Sequence, residues 1–344
     1  MMTNVLTPAR LLDIGFGFAQ SQALLSAVAL GLFTRLGDGA MTAMELGDRL
    51  DLDPAPRARA DFFDALVALQ LLERQGNGAT ARYRNTPETG LFLDKAKPSY
   101  VGGILEMAQA RLFPFWADLK TALETGKPQN ELKHSVKPMF DELYADPARL
   151  EQFMLAMAGI SRGNFQSFVD AFNFAPYASY CDVGGATGLL AGMVARANRH
   201  LTVATFDLPV VAPIATRHLS EQGLAERVTV RSGDFLKAPL PKADVISMGM
   251  ILHDWNLAGK MHLIRAAYDA LPPGGAFIVI EHLIDNDRRA NGFGLLMSLN
   301  MLIEFGDAFD YTAADFEGWC REVGFTRFAT LPLSPVASAA IAYK

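Results

Sequence analysis

Tyr180-Cys181-Asp182-Val183-Gly184-Gly185-Ala186-Thr187-Gly188 decides how this chain is read. Its first residues have strand character, and the apolar Leu189-Leu190-Ala191-Gly192-Met193-Val194-Ala195 that follows reads as a helix. A strand, a glycine-rich turn and a helix make half of a nucleotide-binding crevice. Glycines there leave bare backbone against which a ligand can pack. Spacing narrows the ligand. In a dinucleotide fingerprint, Gly-x-Gly-x-x-Gly, Gly185 and Gly188 would fill the last two places, but Val183 stands at the first. A phosphate-cradling loop ends Gly-Lys-Ser/Thr, whereas Leu189 follows Gly188. What remains is an acid, Asp182, just ahead of Gly-Gly-x-x-Gly. That arrangement suits a ligand with an ammonium group and no phosphate, and S-adenosylmethionine fits. A tight strand-to-helix turn without a ligand uses the same residues.

Two later acids favour the ligand. Asp207 ends the next apolar run, Leu201-Thr202-Val203-Ala204-Thr205-Phe206. An acid about 20 residues past the glycine turn, at a strand end, is placed to take both ribose hydroxyls. Asp234 follows the third run in Gly233-Asp234-Phe235, where a carboxylate can accept from an adenine amino group and Phe235 can cover a ring face. Strand-like runs continue at Asp244–Met248, Phe277–Glu281, Phe328–Leu333 and Ser338–Tyr343, and helical stretches separate all but the last two. Alternation predicts an α/β fold with a doubly wound, mostly parallel seven-stranded sheet covered on both faces. The last two runs, joined by a short Pro-containing link, should form an antiparallel hairpin at its end.

The bulk numbers bound the rest. Half of the 344 residues are hydrophobic and 20% charged, a well-cored globular composition, and two domains are expected at this length. The net charge of −6 argues against a nucleic-acid partner. Cys181 and Cys320 offer no disulfide framework, and the histidines show no zinc spacing, so no metal is expected and the compartment reads as reducing cytosol. Ile14 to Thr34 carries no charge over 21 positions, near the length of a membrane span. Gln20, Ser21, Gln22, Ser26 and three glycines interrupt it, so it reads as one or two helices buried in protein, with a partner subunit as the cover.

Next, Thr42-Ala43-Met44-Glu45 spells a capping box. Asp53-Pro54 breaks the chain before an amphipathic helix carrying Phe62, Phe63, Leu66 and Leu69. Leu71–Arg74 and Ala81–Arg84 flank Gly76-Asn77-Gly78 as a hairpin. Two helices and a hairpin make a winged-helix pattern over residues 1–110. Such a domain in a DNA-binding regulator should carry a basic face. Residues 1–110 hold ten Lys and Arg against twelve Asp and Glu, which disfavours that alternative. Residues 111–172 read as a helical linker, broken at Pro114, Gly126-Lys127-Pro128 and Lys137-Pro138, and residues 173–344 as the ligand-binding domain. The stripe Phe153, Met154, Met157, Ile160 is core, or the wall of a pocket for a flat apolar ligand.

His253, in Leu252-His253-Asp254-Trp255, sits just past the fourth strand, on the sheet edge of the glycine turn. Glu281 ends the fifth strand there, and Asp310 precedes the last helix. A His with two carboxylates in reach is a general base with an orienting partner. A capping His with two solvated acids is the plainer alternative.

The order Asp182-Val183-Gly184-Gly185-x-x-Gly188, Phe206-Asp207-Leu208-Pro209, Gly233-Asp234-Phe235, His253-Asp254-Trp255, Pro273-Gly274-Gly275 resembles the S-adenosylmethionine-dependent O-methyltransferases of the plant caffeate and acetylserotonin type and their bacterial natural-product relatives. The resemblance covers nearly the whole chain. It implies that S-adenosyl-L-methionine is the cofactor and that residues 1–110 are a winged-helix dimerisation domain in a cytoplasmic homodimer with no membrane partner. It implies His253 as the base, flanked by Glu281 and, with a shortened side chain, Asp310. Cofactor positions map to Asp182, Gly184, Gly188, Asp207, Leu208, Asp234, Phe235 and Ser161. A small apolar acceptor would be lined by Phe113, Phe115, Trp116, Met154, Met157, Asn300 and Met301. Three departures stand out: Ala186 for a third consecutive Gly, Gly249 for a plant Lys, and Ser298 for an acid of bacterial members. A hydroxyl acceptor needs a base, and its rate should fall below a pKa of roughly 6 to 7. A thioether or thiol carboxylate needs little or none; in that alternative, an S-methyltransferase, His253 has only a shape role and Arg162 holds the substrate carboxylate.

Overall fold

Thr42 and Glu45 close the capping box that their spacing predicts. Thr42 Oγ1 accepts from the Glu45 amide at 3.3 Å, and the Glu45 carboxylate accepts from the Thr42 amide at 2.8 Å. The computed structural model describes residues 6–53, 55–133, 144 and 146–344. The expected breaks at Pro54 and at Lys137-Pro138 lie outside the described residues. The chain divides into two units, one ending at Pro114 and the other beginning at Phe115.

In the first unit, β1 (Met41–Thr42), β2 (Leu72–Gln75) and β3 (Arg82–Asn85) form an antiparallel sheet in the order β1-β3-β2. The β2–β3 hairpin spans the Gly76–Gly78 signal. Helices Ala43–Arg49 and Pro56–Ala68 supply Leu46, Phe63 and Leu66, which pack with Phe33 and Tyr83 in one buried cluster. The uncharged run becomes the helix Ala9–Ala29 followed by Leu32–Leu36. The longer helix has the length and composition of a membrane span, yet only 17% of its apolar window is buried within the chain. Leu25, Ala27 and Val28 are buried, whereas Leu11, Ile14, Phe16 and Phe18 stand 74, 66, 61 and 57% exposed. The burial expected for this run is therefore met within one chain only at its C-terminal end.

In the second unit, β4 (Ser179–Val183), β5 (Thr202–Asp207), β6 (Val228–Ser232), β7 (Val245–Gly249) and β8 (Ala276–Glu281) run parallel; β9 (Arg327–Pro332) and β10 (Ser338–Tyr343) form the antiparallel end. The order is β6-β5-β4-β7-β8-β10-β9. All six β8 residues are buried. Phe277 and Val279 join one core cluster, with helices Leu257–Ala270 and Ala313–Val323; Ala276, Ile278 and Ile280 join another, with helix Leu189–Ala197 and the end of Pro147–Ala171. A period of two with apolar residues on both faces is what a doubly covered parallel strand requires. Strand order reverses between β4 and β7, so the carboxyl ends of β4, β5, β7 and β8 frame the crevice where such sheets bind ligands.

Candidate active site

The turn after β4 is built by intramolecular packing as much as by openness to a ligand. Gly184 and Gly188 have φ of +70° and +75°. A Cβ on Gly185 would lie 2.1 Å from Thr205 Oγ1 and 2.9 Å from Asp182 Oδ2. Ala186, at the departure from the family pattern, holds φ +48°, a left-handed conformation that costs a residue with a Cβ about 1–2 kcal/mol.

Asp182 is buried beneath this turn. Its Oδ1 accepts from Ser247 Oγ at 2.7 Å, and Ser247 is in turn 2.6 Å from the Tyr180 hydroxyl. Burial, with the nearby Asp207 carboxylate adding to it, raises Asp182 to about 7 against the Ser247 hydrogen bond. Asp207 clamps the turn to the next strand: Oδ2 accepts from the Ala186 amide at 2.9 Å and Oδ1 from the Leu208 amide at 2.7 Å. Burial pushes Asp207 up, and these two amides pull it down. Asp234 accepts from the Leu236 amide at 2.9 Å and pairs with Lys237 at 2.7 Å, which holds it below the usual carboxylate range. Phe235 meets Trp255 edge-on, with centroids 6.0 Å apart. Asp207 and Asp234 at successive strand ends, with one aromatic face, fit the ribose diol and adenine amino group of S-adenosylmethionine; Asp182, expected to meet the ammonium, is instead buried beneath the turn on Ser247.

The second cluster lies past β7 and β8. His253 sits in a short 3-10 turn, Leu252–Asp254, and is buried. Its Nδ1 lies 3.4 Å from Asp310 Oδ1 and 3.9 Å from Glu281 Oε2, and its Nε2 lies 3.3 Å from Asp254 Oδ1. Donor atoms of His253, Glu281 and Asp310 come within 4.8 Å of one another, so the trio is a buried cluster and not a set of solvated acids. Asp310 is the nearer carboxylate despite its shorter side chain. Glu281 also accepts from the Leu252 amide through Oε1 at 3.0 Å, and Ser298 Oγ accepts from the Asp310 amide at 3.2 Å. Burial opposes charge on His253, but Glu281, Asp254 and Asp310 outweigh it and raise the imidazole to about 10. Burial raises Glu281 to about 7 and Asp254 to about 6, each against the pull of His253. An ordinary imidazole would place the limb at roughly 6 to 7; the carboxylates draw the imidazole upward from that range.

The acceptor-side residues divide. Trp116 Nε1 donates to Asn300 Oδ1 at 2.9 Å, joining two of them, and Asn300 and Met301 are buried. Met154 is buried with Leu150, Val211 and Ile214, against Ala186 and Leu208; Met157 is half-buried. Met154 thus takes the core reading while touching the cofactor turn. Ser161 is buried, Arg162 is exposed, and Phe113 belongs to the first unit. Two residues escaped the sequence reading, Ser247 and Lys260. Each left a signal: Ser247 is polar inside the buried run Val245-Ile246-Ser247-Met248, and Lys260 lies on the buried stripe of Leu263, Ile264 and Ala267.

A doubly wound sheet with acids at successive strand ends and a His–carboxylate cluster on the same edge defines a class I methyl-transfer enzyme. The comparisons agree. Residues 116–326 match the O-methyltransferase domain and residues 12–95 the O-methyltransferase dimerisation domain. The tetracenomycin polyketide synthesis 8-O-methyl transferase TcmO of Streptomyces glaucescens is 40% identical, over 99% of this chain and 98% of its own length. The N,N-dimethyltransferase OxyT of Streptomyces rimosus is 36% identical, over 94% of each. The structure of human N-acetylserotonin methyltransferase in complex with SAM superposes with a TM-score of 0.91 at 29% identity, covering 100% of this chain and 99% of that one. The chain belongs to the O-methyltransferase family, and it is an S-adenosylmethionine-dependent O-methyltransferase.

Proposed function

We propose that this enzyme methylates a phenolic hydroxyl of a small, flat aromatic metabolite, with His253 as general base. The carrying observation is the buried cluster in which Nδ1 of His253 faces Asp310 and Glu281 while its ring lies on the edge that bears Asp182, Asp207 and Asp234. When bound, S-adenosylmethionine supplies an electrophilic methyl group. Asp207 would take the ribose hydroxyls, Asp234 the adenine amino group with Phe235 on the ring, and Ser161, Leu208, Gly184 and Gly188 the remaining wall; Asp182 braces the turn from beneath. The protein then has to align the acceptor and receive its proton. A phenol of pKa about 10 is mostly protonated at neutral pH and gains from a base. His253 would take the proton at Nε2, the nitrogen beside Asp254, and the carboxylates around the ring would stabilise the imidazolium formed. Trp116, Asn300, Met301 and Met157 would supply an apolar wall with one amide. The likeness to TcmO, which is named for a polyketide O-methylation, supports an aromatic polyketide over a thioether or thiol carboxylate. The exposure of Arg162 gives the carboxylate reading no support.

We also propose a homodimer in which a second copy covers the exposed face of Ala9–Ala29, supported by that exposure and by the dimerisation-domain match. The acceptor is tested by incubating the enzyme and labelled S-adenosylmethionine with phenols, hydroxylated polyketides, amines and thioether acids. Methylation of phenolic hydroxyls is expected, and turnover of amines or thioethers alone would overturn the acceptor assignment.

A further inference from the structure

We propose that Lys260 is a positioning residue for the base: its ammonium clamps the His253 turn to the segment that carries Asp310. The inference rests on the reading of His253 as base. Lys260 is wholly buried. Its Nζ donates to the carbonyls of Leu252 at 3.0 Å, His253 at 3.5 Å and Trp255 in a shorter contact. The same nitrogen lies 4.1 Å from the centroid of Phe309 and 5.4 Å from that of Tyr311, the two neighbours of Asp310. Three ammonium donors thus cap the carbonyl end of the Leu252–Asp254 turn, while Glu281 Oε1 caps its amide end at Leu252. Opposite charges at opposite ends of one short turn fix the position of its single imidazole. The cation–ring contacts hold the Asp310 segment against that turn.

A buried ammonium is not needed for packing. Apolar replacement of a whole buried ion network is often neutral or stabilising, whereas removing one partner alone leaves the remaining charges uncompensated and lowers stability. Burial pulls Lys260 down to about 8 while Glu281, Asp310, Asp254 and Asp307 pull it up, so it stays mostly charged near neutrality. The groups facing it are therefore these four acids and, through its own carbonyl, His253. A cation there opposes the proton that the acids draw onto His253.

The test is Lys260→Met, with Lys260→Gln as the polar second variant should the first fail to fold. Three quantities are read: kcat on a phenol that the wild type turns over, affinity for S-adenosylhomocysteine, and the His253 titration followed by nitrogen NMR with S-adenosylhomocysteine bound. The expected result is a kcat loss of roughly ten- to a hundredfold with cofactor affinity unchanged, and a His253 titration moved upward by about one pH unit. A folded variant with an unmoved titration and wild-type kcat overturns the proposal. So does a lower melting temperature with an unmoved titration, which would mark a purely structural lysine. His253→Gln is run beside it: if that variant keeps full turnover, the base reading falls, while the NMR titration still judges the contact between Lys260 and the imidazole.

Discussion

His253 carries the largest consequence at the scale of a residue. Three carboxylates draw its imidazole upward, to about 10, against the pull of burial. A base must be neutral to act, so kcat on a phenol should rise with pH through a limb above the ordinary imidazole range. His253→Gln should lose roughly 10²–10⁴-fold in kcat and flatten that limb. A variant within about tenfold of wild type, with the limb intact, would remove His253 from proton transfer. Asp182 makes a separate prediction about stability. Burial lifts its folded value to about 7, above the ordinary carboxylate range. Between the unfolded and folded values the native state holds the extra proton, so stability falls as pH rises through that window. Asp182→Asn keeps the Ser247 hydrogen bond and has no proton to lose. Its stability relative to wild type should therefore climb from about pH 4 to about pH 7 and level off above, as read from urea unfolding midpoints at each pH.

At the scale of an element, the glycine turn is the most exacting. Gly185 cannot carry a side chain, because Thr205 and Asp182 already fill the space, and a Cβ on Gly184 would run into the Ile251 side chain. Ala186 is different: its amide is used by Asp207 and its φ of +48° is strained for a residue with a Cβ. Ala186→Gly should relieve about 1–2 kcal/mol of strain while adding about 0.5–1 kcal/mol of unfolded-chain entropy. A net gain of about 0 to 1.5 kcal/mol follows, seen as a higher denaturation midpoint with an unchanged m-value. A loss of stability would show that the surrounding packing has adapted to the methyl group.

For the whole molecule, the deciding feature is apolar surface that one chain leaves bare. Leu11, Ile14, Phe16 and Phe18 along Ala9–Ala29 are all more than half exposed. A run of that size rarely stays in water on a monomer. Light scattering at micromolar concentration should give the dimer mass, and Phe16→Glu with Ile14→Glu should give the monomer mass at an unchanged circular dichroism spectrum. A wild-type monomer with this helix formed would sink the dimer and reopen the question of what covers it.

The sequence by itself determined the elements of the second unit and the edge on which they place their acids. β10 begins and ends where its apolar run does and β8 begins one residue before its run, because a strand covered on both faces is a short, mostly apolar stretch. The Thr42 capping box was equally legible, being local hydrogen bonds between residues three apart. The gathering of His253, Glu281 and Asp310 could be suspected from strand ends, but only the fold brings Asp310 nearer than Glu281. That distance depends on how the loop before Ala313–Val323 closes over β8, through the Ile284–Thr312 bridge and Ser298. Tertiary structure alone also decided that Met154 is core and that Lys260 turns inward. It further showed that Asp182 leans on Ser247 of the neighbouring strand. Each of these is a contact between segments far apart in the chain, set by packing across the sheet, and no periodicity within one segment encodes it.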